Sequence, residues 1–221
     1  VDVGGLWLTR SRREFRHSPS WLLVVATGGA LFFVAALQID GDSAGAFEID
    51  VFRALNGLPA FLSVVLWLPM QFGNLLVIPL GALAALIARE WRLAGALVIA
   101  GVGKYGVARA IKGEYQRHRP AVFLDNVNVG FGGSDSGLGF VSGHAIVAVA
   151  FATVVHPYLV STKARVVLWI VAGIVCLGRV HVGAHLPLDV IGGAGAGFVI
   201  GGLANILLGT PQSKQEVGGT M

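Results

Sequence analysis

Charge is scarce in this chain: of 221 residues only 13% are Asp, Glu, Lys or Arg, while 55% are hydrophobic. A soluble domain carries roughly twice that charged fraction, so the composition excludes an ordinary water-soluble enzyme and describes a polytopic membrane protein. The formal charge is +4, and the basic residues lie between apolar runs. That pattern reads as cytoplasmic loop bias and excludes a nucleic-acid partner. The single cysteine, Cys176, excludes an internal disulfide and reads as a small buried hydrophobe within an apolar run. Carboxylates are rarest late in the chain, where Asp189 stands alone between Asp135 and Glu216. A carboxylate-rich Mg²⁺ site is therefore lacking, and neither metal nor other cofactor is expected. No internal repeat is visible. A cleavable signal is not expected either: the apolar run Trp21–Ile39 behind Arg10, Arg12, Arg13 and Arg16 is long and lacks a small-residue cleavage site.

What is abundant is apolar sequence in runs of membrane length. Spans are expected over 21–39, 72–88, 93–110, 142–160, 166–177 and 187–208, which predicts an all-α protein of six transmembrane helices with short interfacial helices. On this reading 21–208 is the membrane domain, flanked by cytoplasmic tails over 1–20 and 209–221. Pro69 divides the long run from Phe61 to Ala88 into an interfacial piece and the second span. The acidic segment Asp40–Pro59, with Phe47, Val51 and Leu55 at helical spacing, predicts an extracytoplasmic connection carrying an interfacial helix. Gly193, Gly197 and Gly201 form a small-residue face for close helix packing. The polar stretch 113–141, with its glycine-rich centre Gly130–Gly137, reads as a flexible loop without a core.

An even number of spans places Arg10–Arg16, Arg89, Arg92, Lys163, Arg165 and Lys214 in the cytoplasm, as loop charge prefers. Lys112, Arg117, Arg119 and Arg179 fall at outward ends, against that preference. An anionic substrate supplies a reason.

The most informative stretch is Arg179-Val-His-Val-Gly-Ala-His185-Leu-Pro187-Leu-Asp189. Pro187 suits the first turn of a helix, which puts His185 at its start and Asp189 four residues on, on the same face. A carboxylate there can hold one imidazole nitrogen and raise the nucleophilicity of the other. Two further clusters fall at outer helix ends: Lys112-Gly-Glu-Tyr-Gln-Arg-His-Arg119-Pro120 after the third span, and Val141-Ser142-Gly143-His144 opening the fourth. Singly, each is a helix cap or an interfacial anchor. Together they point to phosphoryl chemistry, because fixed cations such as Lys112, Arg119 and Arg179 stabilise the charge on a transferring phosphoryl group. Ser142 is expected to cap its helix, leaving the Gly143 and His144 amides to face an anion.

The spacings Lys112-x6-Arg119-Pro120, Ser142-Gly143-His144 and Arg179-x5-His185-x3-Asp189 resemble the three-part motif of the type 2 phosphatidic acid phosphatase family, which shares its site with vanadium haloperoxidases. The resemblance covers about residues 100–205. Val141 departs from the usual proline before Ser-Gly-His, and Gly178 from the usual serine before the arginine. The resemblance implies an integral membrane hydrolase of a lipid phosphate or diphosphate: polyprenyl diphosphate, phosphatidylglycerophosphate or phosphatidic acid. It implies a catalytic set of His185 as nucleophile, Asp189 fixing its tautomer and His144 as general acid and base. Lys112, Arg119, Ser142, Gly143 and Arg179 bind phosphate, and no metal takes part. The implied setting is the plasma or inner membrane, with both termini cytoplasmic and the site extracytoplasmic. The partners are a membrane lipid phosphate and the bilayer, with no obligate protein. The same motifs also suit a phosphotransferase that passes phosphate to another lipid.

Several polar residues lie outside the motifs. His181 is read as a pocket-lining or structural loop residue, and Glu114 as the partner of a neighbouring arginine. Lys104, inside the third span, either snorkels to the outer surface or meets substrate. His17 and His156 have no assigned role.

Overall fold

Apolar helices stand at all six stretches expected to cross the bilayer. The computed structural model describes residues 14–211, so the tails' Arg10, Arg12, Arg13 and Lys214 lie outside the described residues. The elements are β1 (Phe15–Arg16), α1 (Ser20–Ala36), α2 (Ala46–Asn56), α3 (Phe61–Met70), a 3₁₀ turn (Gln71–Gly73), α4 (Val77–Ile87) and α5 (Trp91–Tyr115). After these come α6 (Pro120–Phe123), α7 (Gly143–Val155), a second 3₁₀ turn (His156–Tyr158), α8 (Thr162–His181), α9 (Pro187–Leu208) and β2 (Thr210–Pro211).

Length separates these helices. Among the described residues α5, α8 and α9 are long and apolar enough to cross a membrane unaided. The pair α2 and α3, bent by 100°, raises the count to four if taken as one broken span. The helices α1, α4 and α7 are apolar but shorter. α4 loses a turn and a half of its expected length because the chain is tied at Gln71–Gly73, and Asn74 adopts an extended backbone before the helix can start. Pro69 falls inside α3 rather than at the division.

α9 is the centre of the bundle, and its glycines explain why. A Cβ on Gly193 would lie 2.6 Å from the Ser142 carbonyl oxygen, one on Gly197 2.8 Å from that of Ile146, and one on Gly201 2.7 Å from Thr153 Cβ. This is the small-residue face, and α7 lies against it. On another side Gly28 of α1 and Gly195 of α9 meet backbone to backbone, each Cβ position 2.6 Å from the other's carbonyl oxygen. Asn205 Nδ2 donates to the Thr153 carbonyl at 3.0 Å, a polar tie within the α7–α9 seam. The seam brings the starts of α7 and α9 together, where the Ser142 amide donates to the Asp189 carbonyl at 2.9 Å.

The two ends of the described chain meet at the opposite end of the bundle. β1 and β2 pair antiparallel. Arg92 Nη1 donates to the Leu208 carbonyl at 2.9 Å, and its guanidinium lies 4.4 Å from the Phe15 ring centroid. Arg92 begins α5 and Lys112 ends it, separated by about 30 Å of helix. Lys163 and Arg165 likewise begin α8, and Arg179 ends it. The bundle therefore has one end rich in basic residues outside the motifs and another that gathers the motif residues.

α2 buries the face next to the apolar stripe that its sequence marks, and Val51 and Leu55 of that stripe are half-buried. Glu48, Phe52 and Asn56 form its buried face, while Phe47 is 82% exposed. The helix is turned by polar demands: Asn56 Nδ2 donates to the carbonyls of Asn128 and His181, both at 2.8 Å, and Asn56 Oδ1 accepts the Asn128 amide at 2.9 Å.

Candidate active site

Four segments build the site: the end of α5 with the Arg117–Arg119 strand-like exit, the start of α7, the end of α8, and the turn into α9. Arg179 occupies the last turn of α8 and is buried. Its carbonyl accepts the amides of Ala184 and His185, both at 3.2 Å, so the turn that follows is folded back onto the arginine. Gly183 makes that turn possible with φ +71°, a conformation that glycine adopts without strain.

His185 is buried, with Nδ1 3.6 Å from Asp189 Oδ2. That separation is longer than a hydrogen bond. Burial, then the charges of Arg179, Arg119 and Lys112, hold the imidazole well below its ordinary pKa. It is thus neutral and keeps a lone pair. Asp189, in the first turn of α9, is completely buried. Its Oδ2 accepts the Leu186 amide at 2.9 Å and its Oδ1 accepts Arg117 Nη1 at 3.1 Å.

The phosphate-binding expectations converge here. Lys112 Nζ donates to the Leu138 carbonyl. Arg179 Nη1 donates to the Gly132 carbonyl at 2.8 Å. Arg119 Nε and Nη1, Arg179 Nε and Ser142 Oγ are buried without a partner. Buried donors of this kind normally find acceptors, so the cluster has the chemistry to hold an anion. His144 lies within electrostatic reach of Arg179, His185, Arg119 and Lys104.

Several expectations change. Ser142 is the N-cap of α7, but its side chain makes no cap hydrogen bond; the hydroxyl is left unpaired instead of being spent on the helix. The 124–141 segment is fastened over the site: Gly130 donates to the Val182 carbonyl at 3.2 Å and Gly139 to that of Arg117 at 2.6 Å. Phe140 and Val141 are fully buried. His181 belongs to the last turn of α8, where Nδ1 bonds to the Leu55 carbonyl at 3.0 Å, a structural role. His118 pairs with Asp42 at 2.9 Å. Lys104 reaches the site's edge, since a Cβ on Gly143 would lie 3.8 Å from its Nζ. One motif departure has a packing reason: a Cβ on Gly178 would meet Met70 Sδ at 2.9 Å. Nothing in the structure explains Val141.

Sequence reasoning missed Glu48 and the role of Arg117. Arg117 is fully buried between Glu48 and Asp189, whereas Glu114 was the expected arginine partner. Its only advance signal was a basic residue on the unfavoured side of the membrane. Gly139 was also missed; a Cβ there would lie 2.8 Å from Asp189 Oδ2, so the glycine lets the chain cross the carboxylate. Among the described residues, no three His, Cys, Asp or Glu side chains converge as metal ligands.

No curated protein matches the sequence. Two solved structures share the fold. LpxE of Aquifex aeolicus aligns at 24% identity and a TM-score of 0.67, covering 75% of this chain and 98% of its own. The first transmembrane PAP2 type phosphatidylglycerolphosphate phosphatase from Bacillus subtilis aligns at 20% identity and a TM-score of 0.66, covering 82% of this chain and 94% of its own. Residues 89–211 match the PAP2 superfamily, a stretch that holds Lys112, Arg119, Ser142, Gly143, His144, Arg179, His185 and Asp189. The protein is a membrane phosphatase, and it belongs to the PAP2 superfamily.

Proposed function

We propose that this enzyme hydrolyses a lipid phosphate or diphosphate in two steps through a phosphohistidine, without a metal ion. The observation that carries the proposal is a buried His185 backed by Asp189 and set among buried guanidinium N–H groups that lack acceptors. With Nδ1 facing Asp189, Nε2 attacks phosphorus and the P–O bond to the lipid breaks. His144 gives its proton to the departing oxygen. It then takes a proton from water, whose oxygen attacks phosphorus as the P–N bond breaks, releasing phosphate and restoring His185. Arg119, Arg179 and Lys112 hold the equatorial oxygens, with Ser142 Oγ and the Gly143 amide beside them. A lipid substrate suits a site at the end of an apolar bundle. The Bacillus subtilis protein of the same fold is described as a phosphatidylglycerolphosphate phosphatase, which favours this class.

The experiment is phosphate release by purified protein from prenyl diphosphate, prenyl monophosphate, phosphatidic acid, phosphatidylglycerophosphate and a soluble ester, all in EDTA. One lipid should be turned over selectively, and orthovanadate should inhibit as a pentacoordinate mimic. Activity lost to EDTA and restored by Mg²⁺ would overturn the metal-free mechanism. Phosphate passed to an added acceptor lipid, with none released free, would make the enzyme a phosphotransferase.

We further propose that all six apolar helices cross the bilayer and that residues 21–208 form one membrane domain. The flanking tails are cytoplasmic, and the site opens on the extracytoplasmic side of the plasma or inner membrane. The pairing of β1 with β2 beside Arg92 supports this, since basic ends favour the cytoplasm. In a Cys176→Ser background, Ser134→Cys should react with a membrane-impermeant thiol reagent applied outside intact cells. Labelling that needs a permeant reagent reverses the orientation.

A further inference from the structure

Arg117 belongs to none of the three motifs, yet its side chain is completely buried. Its terminal nitrogens are turned to acceptors. Nη1 donates to Asp189 Oδ1 at 3.1 Å and to Glu48 Oε1 at 3.2 Å; Nη2 donates to Glu48 Oε2 at 2.7 Å and to the Ser43 carbonyl at 2.9 Å. Glu48 Oε1 also accepts the Leu188 amide at 3.0 Å, so a carboxylate of α2 caps the start of α9. Two carboxylates thus lie within 3.2 Å of one guanidinium nitrogen. A buried ionic cluster of this kind is a poor way to gain stability, which leaves positioning as its use.

We propose that Arg117, itself fixed by Glu48, is the positioning residue for Asp189, holding Oδ1 so that Oδ2 faces His185, and that α2 is thereby part of the active site. The proposal rests on the phosphatase reading above. Every charged group near Asp189 has a place in it. Glu48 reaches the carboxylate through Arg117, His185 meets Oδ2, and Lys112 and Arg119 act on it at longer range. Without the arginine, Glu48 and Asp189 become like-charged neighbours in a buried place, and one of them takes up a proton. A protonated Asp189 no longer orients or polarises the histidine.

The test uses full-length protein and whichever lipid the panel identifies, with kcat and KM followed against pH. Arg117→Met should lower kcat about 100-fold with KM within about threefold, and move the acid limb of the pH profile up by about one unit or more. Adding Glu48→Gln to that variant removes the opposing charge and should restore about tenfold, a coupling that additive structural damage cannot give. Vanadate should still bind, because the cations of the cage are untouched. An equal loss at every pH with no recovery would overturn the proposal, as would wild-type kcat in Arg117→Met. If Arg117→Met does not fold, Arg117→Lys decides: charge without the fork should cost about tenfold and leave the acid limb in place, and an unchanged kcat overturns the proposal. Absence of release by wild type counts against the phosphatase reading, whereas release with insensitive Arg117 variants counts against Arg117 alone.

Discussion

Replacing His185 with alanine should remove turnover almost entirely, by about 10⁴-fold or more, because the nucleophile and the covalent intermediate vanish together. The protein should nevertheless fold. The ring's Nδ1 has no hydrogen-bond partner, and Arg179, Asp189 and the α9 turn keep their backbone bonds. The measurement is phosphate release alongside a thermal midpoint. A second measurement follows the intermediate: rapid alkaline quenching with ³²P-labelled lipid should trap an acid-labile phosphoryl adduct in wild type and none in the variant. Activity above a tenth of wild type, or an adduct that survives the change, would end the assignment. The imidazole's lowered pKa adds a sign. It is neutral at and below its ordinary midpoint, so kcat/KM of wild type should not fall from loss of nucleophile as the pH drops through about 6.5.

His144→Ala should cost about 10²–10⁴-fold, but only when the leaving group needs a proton. A lipid alkoxide departs poorly unprotonated, whereas a nitrophenolate leaves readily as the anion. The loss should therefore be large for a lipid monophosphate and small in the first step for p-nitrophenyl phosphate. With that activated ester the second step becomes limiting, since the same histidine activates water. The result should be a burst of nitrophenol equal to the enzyme present, followed by slow turnover. Equal losses with both substrates and no burst would remove His144 from the proton-transfer role and leave it as a structural cap of α7.

The site was legible wherever chemistry sits at fixed local spacing. His185, Pro187 and Asp189 lie within one turn and its approach, so helix geometry alone places the carboxylate under the imidazole. Lys112 and Arg119 share a single helix exit. Glu48 was not legible, because its meeting with Arg117 spans 69 residues and depends on which way α2 turns. Amphipathic spacing marks an interfacial helix through Phe47, Val51 and Leu55 and gives no sign of the polar face beside it. Asn56 and Glu48 bury that face by finding partners that exist only once α8 and α9 are in place. The fastening of 124–141 was hidden for the same reason: its bonds go to Arg117, Arg179 and Val182, none of them near in sequence. Helix lengths were the least legible part of the fold. Hydropathy sees the run from Phe61 to Ala88 as one apolar field, while backbone bonding at Gln71–Gly73 cuts it where the start of α7 must fit; a Cβ on Gly73 would lie 2.8 Å from His144 Cβ.

The glycine-lined seams of α9 have a consequence for how the protein is made. α9 is the last helix of the described chain to leave the ribosome, yet it fills the space between α1 and α7, which both emerge before it. Until it inserts, Gly28 and the Ser142 end of α7 lack the glycine faces they pack against in the folded protein. Asp189 arrives with the same helix, so neither the bundle's centre nor its chemistry exists in any shorter nascent chain.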